Sequence, residues 1–315
     1  MSSKGTDVSL YIAKEQSPNT LPLTPEWHTL RRVSDSLKKT VELTASGEVI
    51  DSVFEQGSVA SSATASGAIN FEFSALSQDM FLEGVSRNVF IVDAVDTDKS
   101  VLEIGGDNDL ATFTIVKHDR KLSRIEVFSG ARVGELTISA STDGMIEGAA
   151  TITATGYAEP TVLPVANPLP ATETPFTSAL NVAAFKINGV NTAGTACAES
   201  FEITINNNLD AKGCLGNSSL IKSRVTEGRV AVGLSSTVLL TAASKAWIKN
   251  VETRDRMTAE IEILDKLGNS YKFGFTKLEL DNDGLSDTTA EDEHTLGLEF
   301  KHVKEAITIT RTLNA

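Results

Sequence analysis

The chain has 315 residues, a hydrophobic content of 41% and an aromatic content of 6%, values that fit a globular β-rich protein with room for two domains. Its formal charge of -14 argues against a protein that grips nucleic acid, because phosphate contacts require clustered lysine and arginine. No apolar run reaches signal-peptide or membrane-spanning length, so we expect synthesis and folding in a cytoplasm, away from membranes.

Proline divides the chain. Five of its eight prolines fall between Ala158 and Phe176, a density that prevents helix formation and interrupts sheet ladders. We therefore predict four segments, which are an N-terminal arm over 1–39, a first β domain over 40–157, a proline-rich linker over 158–176 and a second β domain over 177–315.

The arm ends in the one basic cluster of the chain. Its candidate contact residues, suited to an acidic protein surface, are Arg31, Arg32, Lys38 and Lys39. The next segment, "VELTAS", alternates apolar and polar residues, which predicts a strand. Its polar face would carry Glu42, Thr44 and Ser46, and its opposite face would bury Val41, Leu43 and Ala45. A long loop of small residues follows.

A weak internal repeat links the two predicted domains. "VELTASGEV" from Val41 aligns with "FEITINNNL" from Phe201, and "SGAINFEFS" from Ser66 aligns with "EGRVAVGLS" from Glu227. In the second copy the polar face comprises Glu202, Thr204, Asn206 and Asn208, opposite the buried Phe201, Ile203 and Ile205. The pattern fits an ordinary solvent-facing sheet and a wall shared between assembled copies equally well.

A short helix is predicted after the second strand of each copy. In the first, Ser77 is the candidate N-cap and Phe81, Leu82, Val85 and Val89 form the apolar face; in the second, that face comprises Leu239, Leu240, Ala243 and Trp247. Short β runs account for the remainder, among them 122–130, 133–141 and a hairpin turning at Leu267 to Asn269. The predicted fold is mainly β (α+β), with two tandem β-sandwich or barrel domains, each flanked by one short helix.

Residues that could carry catalysis are missing from the sequence pattern. The four histidines are scattered without metal-ligand spacing, and no nucleophile elbow, phosphate loop or dinucleotide fingerprint occurs. Whether Cys197 and Cys214 pair is left open by sequence alone. We expect neither an enzyme nor a bound metal or cofactor.

Several segments together resemble a known family. The arm ending "WHTLRRVSDSLKK", the strand "ELTASGEVIDS" and the runs "ASGAINFEFSALSQDMFLEGVSRNVF" and "VFSGARVGELTISASTDGMIEGAATITATGY" are similar to major tail tube proteins of siphophages, whose tails are long and non-contractile. The likeness is closest to the class of roughly 300 residues with two tube-like domains. "RVAVGLSSTVLL" and "LGLEFKHVKEAITITRT" support it in the second half.

The resemblance implies a subunit that polymerises into stacked rings around a lumen for DNA passage during ejection. Rings would contain three copies with pseudo-sixfold symmetry, or six copies. Further partners would be the tape-measure, tail terminator and tail-tip proteins, within a virion assembled in the host cytoplasm. Double-stranded DNA would pass without specific binding, because an acidic bore repels phosphate.

The resemblance also implies roles for particular residues. Glu42, Thr44, Ser46, Glu202, Thr204, Asn206 and Asn208 are then candidate lumen-lining residues. The arm residues Arg31, Arg32, Lys38 and Lys39 become candidate contacts to the next ring. Candidate inter-ring loop residues are Phe54, Glu55, Gln56, Ser58, Leu215, Asn217 and Lys222.

Two alternatives stay open. A monomeric or surface-displayed β-sandwich binding module would require an exposed aromatic platform, for which Trp27, Trp247 and three tyrosines are available. A tail-tip or baseplate protein with the same domain would share every pattern described above.

Overall fold

We analysed a computed structural model of the chain. It describes residues 2–48, 57–106, 108–172, 174–216, 219–285 and 293–314, and for residues 282, 283 and 285 it describes the backbone only. In this part of the chain, no helix has the length and apolarity needed to cross a bilayer.

Strands dominate, so the prediction of a mainly β fold is confirmed. The first half contains the strands β1 (Val8–Lys14), β2 (His28–Leu30), β3 (Ser34–Asp35), β4 (Lys38–Ala45), β5 (Ser58–Glu72), β6 (Ile91–Val92), β7 (Lys99–Ile104), β8 (Phe113–Asp119), β9 (Arg124–Ser141), β10 (Glu147–Ala154) and β11 (Gly156–Ala158). The second half contains β12 (Val182–Ile187), β13 (Val190–Asn191), β14 (Ala198–Asn206), β15 (Asp210–Lys212), β16 (Arg224–Thr226), β17 (Ala231–Leu239), β18 (Met257–Leu264), β19 (Ser270–Leu285), β20 (Thr295–His302) and β21 (Ile307–Thr312).

The helices are few and short. They are α1 (Asp79–Ser86), α2 (Ser178–Asn181) and α3 (Ala242–Thr253), with 3-10 turns at Gly5–Asp7 and Thr192–Gly194. α1 follows β5 and α3 follows β17, so the predicted order of a strand pair and then a helix occurs in both halves.

Eight antiparallel strands form the main sheet, which we call the eight-strand sheet. Its order is β4, β5, β10, β9, β14, β17, β20 and β19. Two sets of four strands meet at the β9–β14 ladder, where Thr137 faces Thr204. We call the half of the molecule built on β4, β5, β10 and β9 the first unit and the other half the second unit.

Matched irregularities show that the two units have the same strand arrangement. Gly134 of β9 is the extra residue in its ladder with β10, and Asp281 of β19 is the extra residue in its ladder with β20. A second bulge separates the Phe113–Ala131 pair from the Ile115–Phe128 pair. The same bulge separates the Met257–Leu278 and Ala259–Phe275 pairs of the second unit. These bulges fix which residues correspond between the units.

A second layer packs behind each set of four. In the first unit it consists of β2, β1, β8, the start of β9 and β11. In the second unit it consists of β12, β18, the start of β19 and β21. β7 comes from the first half of the chain but pairs with β21, so it closes the outer edge of the second unit. Buried residues from both units form one contiguous core.

The matched bulges make Lys38 correspond to Thr204 and Ser66 to Gly233, so the predicted alignment of Val41 with Phe201 and of Ser66 with Glu227 is wrong. Burial along these strands also differs between the units. In β14, Phe201, Ile203 and Ile205 are buried as predicted. The prediction that Val41, Leu43 and Ala45 are buried is wrong, because every residue of β4 is exposed and Leu43 retains 65% of its accessible surface. The first four residues of β5 are exposed as well, so this hairpin buries little of its apolar surface.

The helix limits also differ from the prediction. α1 begins at Asp79, after Gln78 rather than after a Ser77 cap. Leu239 ends β17 instead of entering a helix, and α3 begins at Ala242, where the Thr241 hydroxyl accepts a hydrogen bond from the Ser244 amide. The Thr241–Ser244 capping box supplies the local reason for that start.

The predicted arm and linker both contact the first unit. β1 pairs along its whole length with β8 and buries Leu10 and Ile12. In the linker, the Leu169 amide donates to the Trp27 carbonyl oxygen at 2.7 Å and Phe176 is buried. The division into arm, domains and linker remains a prediction.

Candidate assembly surfaces

One face of the eight-strand sheet is polar across both units. The ladders align a row of residues with small or polar side chains, namely Asn70, Ala149, Thr137, Thr204, Gly233 and Lys301. The neighbouring row is Glu72, Glu147, Ser139, Glu202, Ser235 and Glu299. Four of the six residues in the second row are glutamates, which make this face acidic. Most of the other residues in the two rows are small or carry a hydroxyl group.

The structure places most of the predicted lumen residues on this sheet. Thr204, Glu202 and Asn206 lie in its middle on β14, and Glu42 and Thr44 lie on β4 at its edge. Glu42 accepts a hydrogen bond from the Ser62 hydroxyl, and the Asn206 amide donates to Glu135. These bonds hold two of the polar side chains flat against the sheet.

The other two predicted lumen residues fall outside the strands. Ser46 follows the end of β4, where its hydroxyl accepts from the Glu48 amide at 3.4 Å. Asn208 follows β14 in a left-handed conformation with φ of 49°, and its side-chain amide donates to the Arg229 carbonyl oxygen. Asn208 therefore shapes the turn after β14.

β4 is exposed along its whole length, and the first four residues of its hairpin partner β5 are exposed too. Leu43 and Val59 are 65% and 69% exposed on this hairpin. At its base, the Ala63 amide donates to the Leu220 carbonyl oxygen at 2.8 Å and the Lys222 amide donates to the Ala63 carbonyl oxygen at 3.1 Å. The second unit therefore supports the hairpin of the first.

The predicted inter-ring loop residues lie partly beyond the described structure. Ser58 begins β5 on the exposed hairpin, Lys222 lies at the hairpin's base and Leu215 is fully exposed. Phe54, Glu55, Gln56 and Asn217 lie outside the described residues.

The four basic arm residues differ in their surroundings. Arg31 donates to the Thr172 carbonyl oxygen at 2.7 Å, and Arg32 forms an ion pair with Asp35 at 2.7 Å, so both side chains are used within the chain. Lys38 is exposed on β4. The Lys39 ammonium lies 5.2 Å from the centre of the Tyr157 ring. Lys38 and Lys39 thus remain near an open surface.

Two strand edges of the eight-strand sheet have no second partner among the described residues. β4 pairs with β5 on one side only, and residues 279–285 of β19 pair with β20 on one side only. Such edges present unpaired N–H and C=O groups to any compatible strand. They lie at opposite ends of the sheet, whereas the corresponding edges at its centre are joined through β9 and β14.

A largely enclosed ion cluster links the elements at the central joint. Arg87, at the end of α1, and Arg132, on β9, approach the Glu227 carboxylate at 3.4 and 3.5 Å. Glu227 also accepts from the Leu110 amide at 3.2 Å, and its side chain is only 14% exposed. No sequence pattern predicts this cluster, because its members lie far apart along the chain and share no local motif.

A second polar cluster crosses the same joint. The Tyr271 hydroxyl donates to Asp79 Oδ1 at 2.6 Å and accepts from the Leu76 amide at 2.9 Å, and Arg311 pairs with Asp79 Oδ2. Burial raises the pKa of Asp79, and Arg311 and Tyr271 only partly oppose that effect. Burial and the neighbouring Asp79 raise the pKa of Tyr271 well above its usual value.

Metal-binding geometry is not found among the described residues, where no three His, Cys, Asp or Glu side chains gather in a way that could hold an ion. Cys197 and Cys214 are both exposed free thiols. Trp27 and Trp247 are buried and offer no aromatic platform.

The described residues present extended strand edges and a broad polar face, and comparison with known families agrees with this arrangement. The model of the family described as "Phage tail tube protein" matches residues 5–298. The chain belongs to the phage tail tube protein family. A comparison with curated proteins finds no match. As a tail tube protein, the chain is a structural component of a phage tail that self-assembles into a tube, and it is located in the virion tail.

Proposed function

We propose that this tail tube protein forms rings of three copies in which the eight-strand sheets join into one closed barrel. The observation that carries the proposal is the β9–β14 joint, which already connects two similar four-strand units edge to edge. The free edge of β19 corresponds to the joined edge of β9, and the free edge of β4 corresponds to the joined edge of β14. If the same strand pairing forms between β19 of one copy and β4 of the next, the sheet continues from copy to copy. Three copies would then close a barrel of six similar units, two from each copy.

The matched bulges predict the register of the joint between copies. They make Thr153 correspond to Lys301, so the partners of those residues, Ser66 and Gly233, also correspond. Ser66 faces Lys38 on β4, and Gly233 faces Thr204 on β14. By the same counting Gly284 corresponds to Thr137. Lys38 of one copy should therefore face Gly284 of the next, as Thr204 faces Thr137 within the chain.

A disulfide tests this register. We would introduce Lys38→Cys and Gly284→Cys after replacing Cys197 and Cys214 by serine. Facing positions in an antiparallel pair lie within disulfide reach. A Cβ on Gly284 meets nothing closer than 3.6 Å, so the cysteine fits. Oxidation of concentrated protein should give covalent dimers and trimers on a non-reducing gel, and the trimers should appear as threefold rings with six lobes by negative-stain microscopy.

Two matched variants control the experiment. Thr137→Cys with Thr204→Cys should form the same bond within one chain. Lys38→Cys with Gly297→Cys moves one cysteine to the adjacent strand of the sheet and should give no cross-link. Absence of cross-linked species in the first variant while the Thr137–Thr204 control closes would contradict the proposed ring.

The acidic polar face is the proposed bore lining. It includes Glu42 and Glu202, whose carboxylates would repel DNA phosphate and let the genome slide without binding. We expect Glu42→Lys with Glu202→Lys to permit tube assembly and to slow DNA exit from reconstituted tails, whereas the corresponding glutamine substitutions should change exit little. Ejection kinetics unchanged by the lysines would show that this face does not line the bore.

The remaining proposed contacts follow from the exposed hairpin. Its apolar Leu43 and Val59, with Ser58, would pack on the next ring, joined by the neighbouring loop residues Leu215 and Lys222. Lys38 and Lys39 lie on β4, the edge that the joint within a ring uses, so we assign them to that joint rather than to the next ring. Tape-measure, terminator and tip proteins would meet the first and last rings. Passage of double-stranded DNA and assembly in the host cytoplasm belong to the same proposal.

A further inference from the structure

A groove lined by both apolar and charged residues runs beside β4 and β11 on the first unit. Its volume is about 410 Å³, and its lining includes Lys39, Lys117, Arg124, Glu126 and Glu159. We call this the first-unit groove. Part of its charge is already paired, because Arg124 approaches Glu126 at 3.0 Å and Glu159 at 3.6 Å and the Tyr157 hydroxyl lies between the two glutamates.

The corresponding surface of the second unit is apolar and buried. Counting from the matched bulges, the Lys117–Glu126 pair corresponds to the Ile261–Phe273 pair. Two residues further along these strands, the Asp119–Arg124 pair corresponds to the Ile263–Tyr271 pair. All four second-unit residues have no accessible surface. This position therefore carries charged residues in the first unit, where Arg124 is exposed and Glu126 is buried, and carries apolar buried residues in the second.

The beginning of α1 and the turn before it contact that surface at Tyr271, whose ring also packs against Phe73 and Phe176. The Leu76 amide and the Asp79 carboxylate both contact the Tyr271 hydroxyl. Toward the other end of the helix, the Val85 carbonyl oxygen accepts a hydrogen bond from the side-chain amide of the buried Asn207 at 2.9 Å. α1 thus belongs to the first unit by sequence and lies across the joint onto the second unit.

α3 is the counterpart of α1. Each follows the corresponding strand, and each ends at an arginine in the left-handed conformation, Arg87 with φ of 66° and Arg254 with φ of 55°. Aligned on these arginines, Asp79 and Leu82 of α1 correspond to Ala246 and Lys249 of α3. Leu82 is fully buried, whereas Ala246 and Lys249 are exposed. The helix face that α1 buries is therefore polar and uncovered in α3.

We propose that the exposed face of α3, formed by Lys245, Ala246, Lys249 and Glu252, docks into the first-unit groove of a neighbouring copy. This inference rests on the proposed ring, since the β19–β4 joint would bring α3 to that groove as the β9–β14 joint brings α1 to Tyr271. The occupant is a second copy of this chain because the groove borders β4, the edge that the joint uses.

Charge can assign contacts only position by position, because the groove as a whole carries Lys38, Lys39, Lys117 and Arg124 beside Asp119, Glu126 and Glu159. By correspondence Ala246 lies over Arg124, which places Lys245 and Lys249 beside Glu126 and Glu159. Glu252 then lies toward β4 and its Lys39.

The surfaces of a joint within one chain are covered once the chain has folded, so they can be apolar. The surfaces of a joint between copies are exposed to water in the free subunit and must keep that subunit soluble. Interfaces that form after folding accordingly retain more polar surface than permanent ones.

Charge reversal tests the docking. Lys245→Glu with Lys249→Glu should lower the initial rate of ring and tube assembly about tenfold at low salt, measured by light scattering, because like charges would face Glu126 and Glu159. Adding Glu159→Lys to that variant should restore at least part of the rate. Lys266→Glu, at an exposed turn outside the groove lining, is the control for a lysine reversal elsewhere on the surface and should assemble like the unmodified protein.

The outcomes separate this inference from the proposed ring. Slow assembly rescued by Glu159→Lys, with circular dichroism unchanged, supports docking. If the Lys38–Gly284 disulfide forms but both reversals leave the assembly rate unchanged, the docking inference is overturned and the ring stands. Slowing without rescue by Glu159→Lys also overturns the assigned contact. If the disulfide fails while its internal control closes, the ring itself is refuted.

Discussion

Glu227 offers the sharpest test of how the two units are held together. Glu227→Ala would leave the guanidinium groups of Arg87 and Arg132, whose side chains are 14% and 13% exposed, without their carboxylate. Removing one member of a buried ion pair costs about 3–5 kcal/mol, because the remaining charge stays desolvated. The distances of 3.4 and 3.5 Å and the residual exposure favour the lower limit, so we expect the free energy of unfolding to fall by about 3 kcal/mol.

Urea unfolding followed by tryptophan fluorescence measures this change. Trp27 reports on the first unit and Trp247, on α3, reports on the second, so single-tryptophan backgrounds made with phenylalanine give one probe for each unit. We expect the two transitions to coincide in the parent protein and to separate in Glu227→Ala, because the cluster couples the units. Glu202→Ala, which removes an exposed glutamate from the polar face, is the matched control. A loss below about 0.5 kcal/mol, the usual size of a surface effect, would refute a structural role for the cluster.

Three further substitutions probe the packing and the pH response. Gly148→Ala would place a Cβ 2.5 Å from the Phe71 ring, so we expect a loss of about 1–3 kcal/mol in urea unfolding, whereas Gly233→Ala, whose Cβ meets nothing within 3.6 Å, should cost less. Tyr271→Phe should lower stability by about 1–3 kcal/mol in the same assay, because buried Asp79 and the Leu76 amide each lose a hydrogen-bond partner. Burial, assisted by the charge of Lys277, lowers the pKa of His302 below 6.5, so the folded state resists its protonation and stability should fall as the pH drops through 6.5. His302→Gln should remove that part of the pH dependence, and an unchanged stability profile would contradict the assignment.

Sequence alone predicted elements whose cause is local. The alternation in "FEITINN" correctly gave the buried and exposed faces of β14, and the Leu267 to Asn269 turn correctly gave the hairpin of β18 and β19. The two β runs on either side of Gly130 are one strand, β9. Gly130 adopts a φ of 57° and bends the strand between its two layers, where sequence suggests a break.

What sequence could not predict depends on elements distant along the chain. Alternation shows which residues share a face but not whether anything covers that face, and so Val41 and Leu43 were wrongly expected to be buried. The Arg87–Glu227 pair joins residues from opposite halves of the chain and leaves no periodic signal. The Asp79–Arg311 pair could not be predicted either, because the two residues lie far apart in the sequence and come together only in the folded chain.

Joining two units in one chain changes what each joint must withstand. The β9–β14 joint forms once, during folding, because its two strands belong to one chain and have a high effective concentration. It can therefore bury Tyr271 and Phe273 permanently and enclose the Glu227 cluster. A joint between copies must form from free subunits, so an equally apolar surface there would be exposed and prone to aggregate beforehand. The charged groove facing β4 and the polar α3 face are what this difference requires. Half of the joints in the proposed ring would then be permanent. The other half would be weak, so that tube growth would begin only from a completed starting ring.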